Sequence, residues 1–275
     1  KAAVDQIFVT YMTTINNKEV RQRIAEYATQ HLQSFYVKQL KSTDLAVRLN
    51  VLQRMLLFDL SFLRVEIENR MKKKRIKSME EYNLCMRVVS NENSWLFLAH
   101  MYKPCLQLKE YEYKVILSQV DVKYIEYFMN HFKTAPIDLK LALLDYLSLS
   151  SNLEQSYLLF YENQLSSIYK EIRIRALKTI ASFGLLSDLQ QYEPFVRSQE
   201  WEERLMLAKV LRFSNDERVY QYLQQLMKDS NWKVRKQAAM SLNTMRGGVA
   251  ILEQIIQIND DKYATDMAKE ILKVG

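Results

Sequence analysis

Apolar side chains recur three and four positions apart along almost the whole chain, and no stretch alternates apolar and polar as a strand does. Val20, Ile24, Tyr27 and His31 show the spacing early. It puts residues on one face of an α-helix. The pattern predicts helices at 5–13, 19–40, 43–57, 60–74, 79–89, 95–101, 111–119, 122–132, 137–149 and 153–167. More regular units follow at 171–183, 189–197, 201–213, 217–228, 232–245 and 249–257, with a last helix at 263–274. Thr43 or Asp44 is placed to cap its helix, because a short side-chain oxygen accepts from free N–H groups of the first turn. Pro136 suits the start of a helix. Gly184 and the pair Gly247-Gly248 fall just past helix ends, where a left-handed residue is wanted.

Within 171–245 one pattern occurs three times. Ile172-Arg173 precedes Ala176 and Ile180; Glu203-Arg204 precedes Leu207, Ala208 and Leu211; Val234-Arg235 precedes Ala238, Ala239 and Leu242. The arginines are 31 residues apart, and Trp201 and Trp232 keep the same interval. A fixed period of this size marks a repeat array in which each unit buries its apolar face against its neighbours.

The run from Asp229 to Leu242 (Asp-Ser-Asn-Trp-Lys-Val-Arg-Lys-Gln-Ala-Ala-Met-Ser-Leu) resembles the second helix of a HEAT repeat, and Asp44–Leu52 is similar. The resemblance covers 168–272 and 43–55 and is loose between 80 and 136. It implies an all-α superhelix: antiparallel helix pairs stacked into a solenoid of the armadillo type, with the Val-Arg helices lining the concave side. The expectation is one solenoid domain over 1–275, irregular over 1–135 and regular over 136–275. Such proteins are mostly scaffolds and adaptors, and the fold says nothing about chemistry.

Composition adds little to the fold and more to the partner. Only 4 Gly and 3 Pro occur in 275 residues, which suits long helices. Cys85 and Cys105 have neither metal nor redox spacing, so a reducing, cytoplasmic setting is expected. No apolar run reaches the roughly 18 residues a membrane span needs; the most apolar stretch, 55–65, is broken by Asp59 and Arg64. The first residue is Lys1, which leaves room for an upstream signal or anchor. His31, His100 and His131 are scattered, and no glycine-rich phosphate loop or nucleophile elbow occurs. No cofactor, metal or catalytic residue is expected.

The net charge is +7, and it is clustered. Residues 168–246 carry 14 Lys and Arg against 9 Asp and Glu; residues 37–79 carry 11 against 4. The first excess sits on helix faces through Arg173, Arg175, Lys178, Lys209, Arg212, Lys233 and Lys236. The second centres on Lys72, Lys73, Lys74, Arg75 and Lys77. Such patches attract acidic proteins, nucleic acids or anionic lipid. Against this stands a structural role, since the planar head group of a repeated arginine suits contacts between repeats, with Asp229 a candidate partner for the row. The 17 tyrosines suit partly buried interface walls.

The expected partner-binding residues are Arg173, Arg175, Lys178, Trp201, Arg204, Trp232, Arg235 and Lys236. Lys72, Lys73, Lys74, Arg75 and Lys77 form a candidate anionic-surface site. The expected function is a non-catalytic scaffold holding a macromolecule, above all a protein. Two alternatives come from the resemblance. One is a DNA-binding or DNA-glycosylase-type protein of the HEAT-like class, for which Trp201 and Trp232 supply aromatics but no acid falls on a matching motif. The other is a bacterial HEAT scaffold anchored to the membrane by an upstream segment.

Overall fold

The computed structural model describes residues 1–58, 60–150, 155–258 and 260–274, and every regular element among them is helical. No helix is long and apolar enough to cross a membrane, among the described residues. The chain forms two compact units, Lys1–Tyr146 and Leu147–Gly275. Asp59, Leu153 and the predicted start of the helix at 153–167 lie outside the described residues.

Unit 1 opens with α1 (Ala2–Thr14), α2 (Lys18–Tyr27) and α3 (Gln33–Leu40), the last two joined by a π-helical stretch, Ala28–Leu32. One continuous α-helix is expected here, and the reason for the break lies in the buried side chains. Ile24, Ala28, Leu32, Tyr36 and Leu40 are all buried, four residues apart. A straight α-helix, at 3.6 residues per turn, would rotate such a row by roughly 40° at each step. A wider turn in the middle brings the row back to one face.

Asp44 caps α4 (Leu45–Phe58), its Oδ1 accepting from the Ala46 N–H at 2.8 Å. Next, after a 3₁₀ turn at Ser61–Leu63, comes α5 (Arg64–Lys72), which starts four residues later and stops two residues earlier than its periodicity predicts. Lys74 turns left-handed (φ 50°), the Arg75 N–H reaches back to the Arg70 carbonyl at 3.0 Å, and Ile76 is buried just beyond. This is a Schellman-type stop with lysine where glycine is usual. Then follow α6 (Met79–Glu92), α7 (Ser94–Tyr102), α8 (Glu110–Leu117), α9 (Ile125–Asn130) and α10 (Ile137–Ser150). Helix α4 packs between α3 and α6, and α6 packs on α7.

Unit 2 contains α11 (Gln155–Glu162), α12 (Lys170–Phe183), α13 (Trp201–Leu211), α14 (Arg218–Met227), α15 (Trp232–Thr244), α16 (Gly248–Ile258) and α17 (Lys262–Val274). The helix expected at 189–197 is instead two 3₁₀ turns, Leu189–Gln191 and Glu193–Arg197. Pro194 has no N–H to give to a carbonyl four residues back, so an α-helix cannot run through it. Helices α12, α13, α15 and α17 pack side by side in that order; α14 and α16 form the second layer against them.

The 31-residue period is written in the core. Ile180, Leu211 and Leu242 are buried and equivalent; so are Leu177, Ala208 and Ala239. Small residues let adjacent helices come close, and the Ser241 hydroxyl donates to the Ala208 carbonyl at 2.6 Å across that contact.

Gly248 is the tightest point. A Cβ there would lie 1.9 Å from the Leu242 carbonyl oxygen. Gly248→Ala therefore has to displace backbone, and we expect it to cost about 2 kcal/mol or more in urea unfolding. A loss within 0.5 kcal/mol, roughly the range of ordinary surface changes, would show that this turn is pliable.

Candidate partner-binding face

The repeated arginines share one geometry. Nη1 of Arg48, Arg173, Arg204 and Arg235 donates to the carbonyl six residues earlier: Ser42, Ser167, Ser198 and Asp229, at 2.9, 2.7, 2.6 and 2.7 Å. In each case the side chain of that earlier residue turns the chain into the helix. The Ser42, Ser167 and Ser198 hydroxyls accept from the backbone N–H two residues on, as does Asp229 Oδ1. The arginine thus staples the turn to its own helix.

Its other edge takes a carboxylate from the next helix of the layer or from the turn that leads into it. Arg48 donates from Nε and Nη2 to the two oxygens of Glu81, both at 2.9 Å. Arg173 Nε meets Glu203 at 2.6 Å. Arg204 grips Asp229 from Nε and Nη2 at 2.5 and 3.0 Å. The acid occupies one of two places. Glu81 and Glu203 stand on the helix; Asp229 stands in the turn, and Val234 then fills the helix position. Glu81 is fully buried and also receives Arg70 at 2.7 Å. Burial alone would raise its pKa, but the two guanidinium groups outweigh that and hold it below the ordinary carboxylate range.

Beside this row runs an aromatic one. Trp201, Trp232 and Tyr263 each stand at the first or second position of a successive helix, 31 residues apart. Trp232 is 55 % exposed and Tyr263 68 %. Lys233 reaches between the first two, its Nζ 5.1 Å from the Trp201 ring and 5.9 Å from the Trp232 ring. The Arg235 guanidinium lies over Tyr263 at 5.1 Å. Trp232, Arg235 and Tyr263 line an open groove of about 600 Å³ at the helix starts.

Residues 189–273 match the family model for HEAT repeats. That match and the all-helical fold support a HEAT-repeat family. No curated protein matches the chain. The matched segment begins at the two 3₁₀ turns. The carboxylate lock of Arg48 on Glu81 repeats the same geometry outside the matched segment, from the Val47-Arg48 pair of the 43–55 stretch.

The other expected site residues are distributed as follows. Arg173 and Arg204 are committed to internal acids. Lys236 pairs with Glu270 at 3.0 Å on the surface. Arg175 is half-buried on α12, and Lys178 is exposed on the same helix. In the basic loop, Lys72 reaches Glu68 at 3.5 Å, while Lys73, Lys74, Arg75 and Lys77 are exposed. Tyr263 is the residue sequence reasoning missed. The signal was present: it falls 31 residues after Trp232, and reading the period by residue type rather than by interval hid it.

Proposed function

We propose that this HEAT-repeat chain is a scaffold that binds a protein partner through the aromatic–cation face of unit 2. The observation that carries the reading is the row Trp201, Trp232, Tyr263, interleaved with Lys233 and Arg235. Trp201 is half-buried, but Trp232 and Tyr263 are large rings kept in water at the same place in consecutive repeats, which marks an interaction surface rather than a scatter of apolar residues. Trp, Tyr and Arg are the side chains that dominate protein interfaces. HEAT repeats generally mediate protein contacts and are typically non-catalytic, which agrees.

A nucleic acid is the weaker reading. Lys170, Arg173, Arg204, Arg218, Lys228 and Lys236 all pair with carboxylates of the chain itself. Phosphate binding draws on cations that can release counterions, and these six are already neutralised.

The test is quantitative capture of binding proteins by the full chain and by Trp232→Ala/Tyr263→Ala. Trp95, 80 % exposed in unit 1, supplies the control through Trp95→Ala. Specific partners should fall by about tenfold or more in the double variant, the loss of a typical hot spot, and stay constant in the control. Unchanged capture by a variant with native circular dichroism would remove this face as the site.

A further inference from the structure

We propose that the groove at Trp232 and Tyr263 takes a carboxylate from an acidic segment of the partner protein, and that Arg235 is its receptor. The inference rests on the reading of this face as the partner surface, and adds the chemistry of what enters it.

The argument is a missing member. Arg48, Arg173 and Arg204 each present Nε, alone or with Nη2, to an acid of the chain. Arg235 makes the same bonds to its own turn, with Nη1 on the Asp229 and Ser230 carbonyls at 2.7 and 3.1 Å. Its Nε is buried and has no partner, and among the described residues no carboxylate forms an ion pair with it. Both places that could hold the acid are otherwise filled. The helix position, equivalent to Glu203, is Thr265. The turn position, equivalent to Asp229, is Asp260, which instead takes Lys228 at 2.5 Å. The next repeat is therefore present and fails to complete the lock.

In place of an acid, Arg235 has the Tyr263 ring. An exposed ring over a guanidinium can swing aside, and a planar guanidinium edge matches a carboxylate in two parallel hydrogen bonds. Trp232 on the groove wall offers an apolar face to a side chain next to the acid. Two acids also border the groove. Asp229 is neutralised by Arg204, and Asp261 Oδ1 accepts from the Ala264 N–H as a helix cap. Asp261 opposes an incoming anion, which gives the test its second arm.

The probe is an array of twelve-residue peptides with Asp or Glu at the centre and varied apolar neighbours, with a matched array carrying Asn or Gln. Full-length protein should bind the best acidic peptides about 10–100-fold more tightly than their amide twins, the worth of hydrogen bonds to a charged group. Arg235→Met should abolish the difference, and Lys133→Gln, at an exposed cation of unit 1, should leave it intact. Asp261→Asn keeps the cap and removes the like charge, so acidic peptides should bind several-fold tighter. Equal binding of both arrays, lost in Trp232→Ala, would overturn the carboxylate receptor and keep the aromatic face. Binding of neither array would overturn both. Acidic binding that Asp261→Asn leaves unchanged or weakens would show that no peptide carboxylate enters beside Asp261 and overturn the proposal.

Discussion

Glu81→Ala should destabilise the protein by about 3–5 kcal/mol, the cost of stripping one partner from a buried ion pair. Two guanidinium groups, Arg48 and Arg70, converge on that carboxylate, and their side chains are only 13 % and 11 % exposed. Removing the acid leaves two cations facing each other in a dry site with little water to receive them. The effect should be local: hydrogen exchange in α4 and α6, the helices joined by the lock, should speed up first. Urea unfolding of the full chain measures the total, and a loss under about 1 kcal/mol, the worth of a surface pair, would mean the arginines simply turn out to solvent. The pH dependence follows from the lowered pKa. A carboxylate with a folded pKa below its unfolded one contributes stability above the unfolded value and loses it as pH falls through the folded value. The parent should weaken on acidification below the ordinary glutamate value of 4.5, and Glu81→Gln should flatten that limb.

The second large effect distinguishes a lock from a stabilising bond. Glu203→Val puts into α13 the residue type that α15 already has at Val234. Arg204 tolerates Val234 because Asp229 in the turn receives it. Arg173 has no such substitute, since the turn residue equivalent to Asp229 is Ser198, whose hydroxyl itself donates to Glu203 at 2.5 Å. Glu203→Val should therefore cost about 3 kcal/mol. The double variant Arg173→Met/Glu203→Val removes both charges and should return to within about 1–2 kcal/mol of the parent, because apolar replacements of a buried pair are often neutral. If the double variant is as unstable as the single, the lock is a net source of stability and the desolvation argument fails here.

Much of this was legible in the sequence because a repeat array prints its geometry as an interval. Helices that stack against like neighbours need the same buried residues at the same places, so Ile180, Leu211 and Leu242 recur 31 apart. The same interval pointed to the arginine row, and the chemistry of that head group made Asp229 a candidate acid for it. Local chemistry was also readable: Asp44 caps α4, and Gly184 is left-handed at the end of α12.

What the sequence did not yield depends on contacts between residues with no fixed spacing. The acid of the lock sits 33 residues beyond Arg48, 30 beyond Arg173 and 25 beyond Arg204, so no single interval finds it. The π-helical stretch at Ala28–Leu32 is a response to the row it must bury, visible only once the neighbouring helices define that row. Whether an arginine is structural or available is likewise a matter of what surrounds it. Arg204 and Arg235 hold equivalent places in the repeat, yet one is closed by Asp229 and the other lies under Tyr263. The sequence by itself set the helices, the period and the row of equivalent side chains, because these follow from spacing along one chain. Only the tertiary structure decided which of those side chains are already occupied, because the charge that occupies each comes from a different helix.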